Sequence, residues 1–447
     1  LIDDTDDVDL REALARGDVG NIASWLEGRA AHNIAEEFTR LDSVQAALVW
    51  RLLNRDRALE VFEELGAHQQ QELLNGMRDQ AFGEILESMD PDDRARMLGE
   101  APATFAHRVL QGLSPKERAM TASLLGYPDN PVGRVMSPEV VTIPEGTPVP
   151  DIMTVVKRKG KDAETIDILA VVGRSRKLVG VMELSQVVMA DDELTAGDLA
   201  DQAAPVLSVA NDAEWAARLV QETNRLGLVV VDSENRVLGV LTVDDALELI
   251  EAADTEDVAR QAATLPSTGH YLSASPLRLA GLRVVWLLIL IVAATLTVSV
   301  LQLFETSLEA VTALALFIPL LVGTGGNVGA QAATSAVRAL AVGEVRPSDA
   351  LRVAWRESRV GLLLGLVLGS LAFGAGWIVA GIPVGIVVGV SVILVCIWAA
   401  TVGSLMPLMA RSLNIDPAVI SAPLVTTLVD ATGLVIYFLV AGLVLSL

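Results

Sequence analysis

Between Ser275 and Leu447 the chain carries five long apolar runs, roughly 279–303, 310–340, 360–381, 384–410 and 418–446. About twenty apolar residues suffice for a helix to cross the ~30 Å hydrocarbon core, so each run predicts a membrane span. Inside a bilayer the backbone must satisfy its own hydrogen bonds, which leaves helices as the segments that can cross. The links between the runs differ in charge. Arg338, Arg346, Arg352, Arg356 and Arg359 lie between the second and third, and Arg411 lies between the fourth and fifth. The first link holds only Glu305 and Glu309. By the positive-inside rule the arginine-rich links, and with them everything before Ser275, are expected on the cytoplasmic side. An odd number of spans then puts the C-terminus outside.

The fifth run holds one acid near its middle, Asp430. A carboxylate at that depth costs about 2.5–3.5 kcal/mol on insertion scales and is expected to face protein or water rather than lipid. On a helix Pro423, Thr426, Thr427, Asp430, Gly433 and Tyr437 share a face by three-and-four spacing. Such a stripe fits an interhelical hydrogen bond or, more sharply, a cation site in a pore. The second run reads as interrupted, with Pro319 and the run Gly323, Gly325 and Gly326 weakening the helix. Beyond them Asn327, Gln331, Thr334, Ser335 and Arg338 line one face. Irregular backbone is tolerated in a membrane where it packs on protein or lines a cavity, and the glycines equally suit close helix packing. As a phosphate loop GTGGNVG is a weak match, lacking Lys-Ser/Thr and a preceding soluble strand.

The chain's net charge of −23 resides before the spans. Seven acids and eight arginines make residues 275–447 nearly neutral, which leaves about −24 on the part preceding them. That acidity repels nucleic acid and suits cations, although it also serves solubility. The single cysteine, Cys396, lies in an apolar run, so no disulfide framework is expected. His32, His68, His107 and His270 have no metal-ligand spacing. No leader segment is legible at the start, so insertion is expected to be directed by the spans themselves.

Residues 1–127 read as short amphipathic helices that stack into an all-α superhelix. MDPDDRARML and LSPKERAMTASLL share a pattern in which Asp90 and Ser114 cap helices with proline in the first turn. After the break PDNPVG a repeat appears over 134–250. ILAVVGRSRKLVGVMELSQVV aligns with GLVVVDSENRVLGVLTVDDAL at an offset of 59, so Gly180 matches Gly239. Upstream, VVTIPEGTPV aligns with VLSVANDAEW at an offset of 66, which gives the first copy about seven extra residues around Lys157–Thr165. Each copy reads strand, helix, strand, turn, strand, helix. The pair resembles a tandem of CBS domains, a regulatory α+β module that often binds adenine nucleotides or ions; neither copy shows an obvious nucleotide motif. The connector, residues 244–270, puts Asp244, Glu248, Glu251 and Asp254 on one helical face, where like charges destabilise a helix by about 0.2–0.5 kcal/mol per pair. A bridging divalent cation would reverse that sign; the plainer alternative is a solvated linker helix.

In this order the parts resemble the MgtE family of magnesium channels, with PLLVGTGGNVGAQAAT and DPAVISAPLVTTLVDATGLVIYF similar to its membrane signatures. The resemblance implies a multidomain chain: an all-α N domain, a CBS pair, an acidic plug helix and a five-span pore domain over 275–447. It implies a homodimer with one pore between the membrane domains, a selectivity acid at Asp430, and sensor acids at Asp245, Glu248, Glu251, Glu256, Asp257 and Glu214. Asp92 or Asp93 of the first domain is the implied contact, with Glu60, Glu63 or Glu64 as partner. Ala253 followed by Asp254 departs from the family's acidic pattern. Mg²⁺ is expected as substrate and as regulator, closing the pore when cytosolic Mg²⁺ is high, with ATP a further candidate ligand of the CBS pair. A hydrated Mg²⁺ needs few carboxylates, whereas Ca²⁺ wants six to eight direct oxygens. Mn²⁺ or Co²⁺ would suit much the same groups. A membrane-anchored magnesium or nucleotide sensor would need neither Asp430 nor the glycine-rich second span. An intramembrane enzyme would want a second catalytic acid or histidine in the spans, and the runs hold none, so no enzymatic activity is expected.

Overall fold

The computed structural model describes residues 10–446 apart from 39, 42, 67–68, 71–72, 74–84, 100, 129 and 266–274. The chain divides into two compact units, the first running to Ala253 and the second comprising Asp254–Ser267 and the chain from Ser275. The segments 1–9 and 266–270 of the expected N domain and connector lie outside the described residues.

The first unit opens with short helices: α1 (Leu10–Arg16), α2 (Val19–Glu27), α3 (Ala31–Phe38), α4 (Ser43–Leu52), α5 (Arg55–Glu63), α6 (Pro91–Gly99), α7 (Ala103–Gly112) and α8 (Pro115–Leu125). Their starts carry the expected chemistry. Asn54 accepts from the Arg57 amide at 2.9 Å and Ser114 from the Glu117 amide at 3.4 Å, with Pro115 in the first turn. Ile22, Ile34, Phe38, Val61, Phe62 and Met97 form the common core, with Trp50 edge-on to both Phe38 and Phe62. Arg94, fully buried, ties α6 to α8 through Glu117 and Thr121, both at 3.0 Å.

The repeat forms two three-stranded sheets. In the first, β1 (Val140–Pro144) runs parallel to β2 (Thr165–Val172), which pairs antiparallel with β3 (Leu178–Glu183); α9 (Val149–Lys159) connects β1 and β2. After α10 (Leu184–Met189) and α11 (Ala196–Leu199), the second copy repeats this with β4 (Leu207–Ser208), α12 (Ala213–Thr223), β5 (Gly227–Val231) and β6 (Val237–Thr242). Val171 pairs with Gly180 as Val230 pairs with Gly239, in keeping with the offset of 59. The upstream offset needs correction. α9 and α12 are both 11 residues long and start 64 positions apart, so the first copy carries five extra residues. They fall in 160–167, where the second copy has only 224–226. The two offsets differ by two residues, a slip that keeps the alternation of apolar positions along a strand. Ile168, Ala170 and Val181 pack against Val229, Val231 and Val237 between the copies. Ala95 of α6 and Leu124 of α8 join the core of the second copy, which anchors the acidic start of α6 beside it. α13 (Val243–Gln261) leaves β6 and continues into the second unit.

The second unit holds α14 (Pro276–Leu303), α15 (Glu305–Ala310), α16 (Ile318–Ala341), α17 (Ala350–Ala380), α18 (Ile382–Ser412) and α19 (Ala422–Leu445). Among the described residues, five helices or helix-plus-turn segments are long and apolar enough to cross a membrane. The second span differs from expectation in being a continuous α-helix of 24 residues. Pro319 stands in its first turn, where a missing amide costs no helical bond, and the irregular backbone precedes it, at Val311 after α15 and in a 3-10 turn over Thr312–Phe317. The glycines serve packing: side chains of Val395 and Val429 close on Gly325, and those of Val425 and Val429 on Gly329. The third helix starts ten residues before the apolar run, at Ala350.

α17 and α18 meet backbone to backbone. A Cβ at Gly365 would fall 2.8 Å from Ile393 Cα, and one at Gly369 would fall 2.7 Å from the Gly389 carbonyl oxygen. Small residues allow this approach, and van der Waals contact then replaces the hydrophobic drive that lipid does not supply. Gly365→Leu should therefore push the pair apart and cost about 1–3 kcal/mol or more, read as a lowered thermal midpoint in detergent.

Candidate functional sites

Asp430 is the ninth of the 24 residues of α19, half-buried, and its Oδ1 is buried with no hydrogen-bond partner among the described residues. It faces α16 at Gly326, where an added Cβ would come within 3.3 Å of that oxygen. Thr426, one turn earlier, abuts the same glycine. The hydroxyls of Thr426 and Thr427 donate back to the Pro423 carbonyl at 2.9 and 2.8 Å, which keeps them on the helix and leaves their acceptor lone pairs available. The expected stripe ends there. Gly433 is buried, and Tyr437 is fully buried and donates to the Leu314 carbonyl at 3.0 Å, so both belong to the helix packing. Tyr437 stays within about 40° of the face of Pro423 by the helical period; it is buried because the 3-10 turn over Thr312–Phe317, whose Leu314 carbonyl it bonds, covers α19 at that level.

α16 has two faces. Leu321, Gly325, Val328, Gly329 and Ala332 are packed, whereas Gly323, Asn327, Gln331, Thr334, Ser335 and Arg338 are exposed. Amide, hydroxyl and guanidinium groups along a spanning helix are costly against acyl chains, so this face requires water or a second polypeptide. At the start of α19, Asp416 accepts from the Ala418 amide at 2.9 Å and pairs with Arg260, which also pairs with Glu256 of α13. Leu265 donates its amide to Leu282 of α14 at 3.1 Å. The last turns of the connector thus sit on the side where α14 and α19 begin.

The first unit gathers a separate set of acids. Asp90, Asp92 and Asp93 at the start of α6 and Glu63 at the end of α5 come together with Glu164 and with Asp244, Asp245 and Glu248 at the start of α13. Burial, then Asp90 and Asp93, pushes the Glu63 carboxyl up to about 8. Burial, then Asp90 and Asp245, pushes Glu164 to about 7. Burial raises Asp245 to about 7 despite the Thr242 hydroxyl that donates to it at 2.6 Å. Asp92 is held well above the ordinary carboxylate range by burial and then by Asp245. Among the described residues, Asp92 Oδ1 and Glu164 Oε2 are buried without a hydrogen-bond partner. Arginines enter the group: Arg96 binds Asp93 at 2.5 Å and also Glu248, and the charge of Arg94 acts on Asp90. Among the described residues no three acids, histidines or cysteines converge closely enough to ligate one metal directly. The orphaned oxygens and raised carboxyls suit an ion that keeps part of its water shell.

Of the acids expected from the sequence, Asp92, Asp93, Asp245 and Glu248 meet here, and Glu63 is their partner rather than Glu60 or Glu64. Glu251 is exposed on α13, and Glu256 and Asp257 lie farther along it, in the second unit. Glu214 does not join the cluster; it pairs with Arg218 on α12 at 2.9 Å, a helix-surface contact that the sequence spacing also allowed. Glu164 and Asp90 went unforeseen as cluster members. The signal for Glu164 was the extra segment of the first CBS copy, which carries it.

A family model described as a divalent cation transporter, MgtE, matches residues 318–440, which include α16 and Asp430. The MgtE intracellular N domain matches 30–130, and CBS domains match 132–193 and 196–252. The magnesium transporter MgtE of Thermus thermophilus is 39% identical over 445 residues, covering 98% of either chain. The chain belongs to the MgtE family. The Bacillus subtilis magnesium transporter MgtE is 28% identical over 433 residues, covering 96% of this chain and 95% of its own. The chain also resembles the crystal structure of the cytosolic domain of the Mg²⁺ channel MgtE in complex with ATP, at 31% identity and a TM-score of 0.50. That match covers 54% of this chain and 98% of the other.

The pH dependence of the acidic cluster follows from its raised carboxyls. Between the ordinary carboxylate range and about pH 8 the folded unit holds more protons than the unfolded chain, so stability falls as pH rises. In a chelator, the full chain should resist limited proteolysis of this unit better near about pH 6 than near about pH 8, and added Mg²⁺ should narrow the difference.

Proposed function

We propose that the chain is a Mg²⁺ channel whose pore is formed by two copies and whose gate is controlled by the same ion. The observation that carries this reading is the Asp430 carboxylate, with an orphaned oxygen inside a span, in a unit whose α16 exposes a polar face. One Asp430 from each copy, facing a common aqueous path with Thr426, Thr427 and Asn327 nearby, would hold a hydrated Mg²⁺ through its water shell. Mg²⁺ dehydrates reluctantly, so outer-shell binding lets it both enter and leave. The relatives named as magnesium transporters support Mg²⁺ over Mn²⁺ or Co²⁺ as substrate. The arginine-rich links support a cytoplasmic location for the first unit and an external C-terminus.

Gating rests on the acidic cluster and on α13. High cytosolic Mg²⁺ screens Asp92, Asp93, Glu164, Asp245 and Glu248 and favours their compact arrangement. In low Mg²⁺ the like charges repel and loosen it. Glu256 and Asp257, beside the Arg260–Asp416 pair, transmit that state to the start of α19. Only a difference in Mg²⁺ affinity between the two states biases the gate, and several weak sites together supply more bias than one. The ATP-bound relative extends the proposal to an adenine nucleotide at the CBS pair.

Mg²⁺ flux into proteoliposomes tests both parts. Asp430→Asn should lower flux on the order of ten-fold or more, the equivalent of about 1.4 kcal/mol of lost ion stabilisation, while leaving the folded assembly intact; undiminished flux removes Asp430 from the pore. Neutralising Asp245, Glu248, Glu256 and Asp257 together should leave flux insensitive to Mg²⁺ on the cytoplasmic face. Inhibition equal to that of the unaltered protein would move the sensor elsewhere.

A further inference from the structure

α17 is longer than a bilayer requires. Residues Val360–Ala380 cover about 30 Å at 1.5 Å per residue, enough for the hydrocarbon core. Ala350–Arg359, about 15 Å more, therefore pass through the headgroup layer at the arginine-rich end, with Arg359 and Arg356 within it and Arg352 at its outer edge. The side of α17 that meets α18 is marked by the buried Gly361, Gly365, Gly369 and Gly376. On the opposite side Leu363, Leu366 and Val367 are 66%, 51% and 62% exposed. By the 3.6-residue period, that same face continues upward through Arg359, Arg356 and Arg352, with Trp355 beside them.

These guanidiniums are sparsely matched. Arg352 reaches Asp349 at 3.3 Å yet remains 87% exposed; Arg356 interacts electrostatically with the neighbouring Glu357, and neither it nor Arg359 makes a hydrogen bond or ion pair among the described residues. Trp355 is 69% exposed, in the position of an interfacial anchor. A row of arginines over a strip of bare leucine and valine has the polarity of a lipid: phosphate above, acyl chain below. Arginine forks match phosphate oxygens. A headgroup with net negative charge fits three guanidiniums better than one carrying its own ammonium.

We propose that this face of α17 is a binding site for an anionic phospholipid, its phosphate on Arg352, Arg356 and Arg359 and its acyl chain along Leu363, Leu366 and Val367. The apolar strip distinguishes the lipid from free phosphate, which would gain nothing from it. The site is independent of the pore and of the Mg²⁺ sensor.

Native mass spectrometry of the full chain in detergent, offered equal phosphatidylglycerol and phosphatidylcholine, tests the proposal. The unaltered protein should retain phosphatidylglycerol preferentially. Replacing Arg352, Arg356 and Arg359 together by glutamine should weaken that binding on the order of a hundred-fold, and Arg359→Gln alone about five-fold, which serves if the triple variant does not fold. Replacement of all three by lysine should keep most of the preference. Equal retention of the two lipids by the unaltered protein, or an undiminished preference in the glutamine variants, would overturn the site. Inorganic phosphate that displaces the lipid at comparable concentration would overturn the lipid assignment, and efficient disulfide cross-linking between copies bearing Arg359→Cys would place the face in a subunit contact instead.

Discussion

Carboxylates that lose part of their hydration without gaining a full counter-charge govern both units of this protein. Burial penalises the ionised form, and neighbouring acids add to the penalty, so each such group must find a cation, take a proton or move apart. Where the chain has an arginine within reach, the first outcome is visible: Arg94 closes on Glu117, Arg96 spans Asp93 and Glu248, and Arg260 joins Glu256 to Asp416. Asp92, Glu164 and Asp430 are each left with an oxygen that no group among the described residues answers. A small, strongly hydrated divalent ion is the partner that suits all three, since its waters can donate where the protein does not.

The scaffolds around these groups explain why they do not simply relax. Ala95 and Leu124 lock the N-terminal helices into the core of the second CBS copy, so α6 cannot turn its acids to solvent without opening that core. In the membrane, Gly326 and Gly329 let α16 lie against α19, and the backbone contact of α17 with α18 holds the outer layer. Close-packed interiors switch between discrete arrangements rather than deforming smoothly. Repulsion among the acids therefore has a structural consequence instead of dissipating in side-chain motion.

Much of this was legible in one dimension. Hydropathy located the spans, the 59-residue offset located the paired sheets to the residue, and Asp430 announced itself as the acid in an apolar run. The upstream offset is ambiguous in the sequence because a two-residue slip leaves the same alternation of apolar positions in a strand; the strand pairing and the helix starts at Val149 and Ala213 resolve it. Proline and glycine in the second span suggested a break; the helix is intact because Pro319 occupies its first turn and neighbouring side chains fill the space the glycines leave. Glu214 followed from a family pattern, and the Arg218 one turn on offered it a local partner.

The sequence alone decided which segments cross the membrane, where the charge lies and which carboxylate is carried into a span, because these depend on composition within a single element. Tertiary structure decided which acids face one another. Glu63, Asp92, Glu164 and Asp245 are distant along the chain and sit on four different elements or loops, so no local period relates them. It also decided which polar groups go unanswered: an exposed carboxylate and an orphaned one are the same letter, and only packing removes the water from one of them.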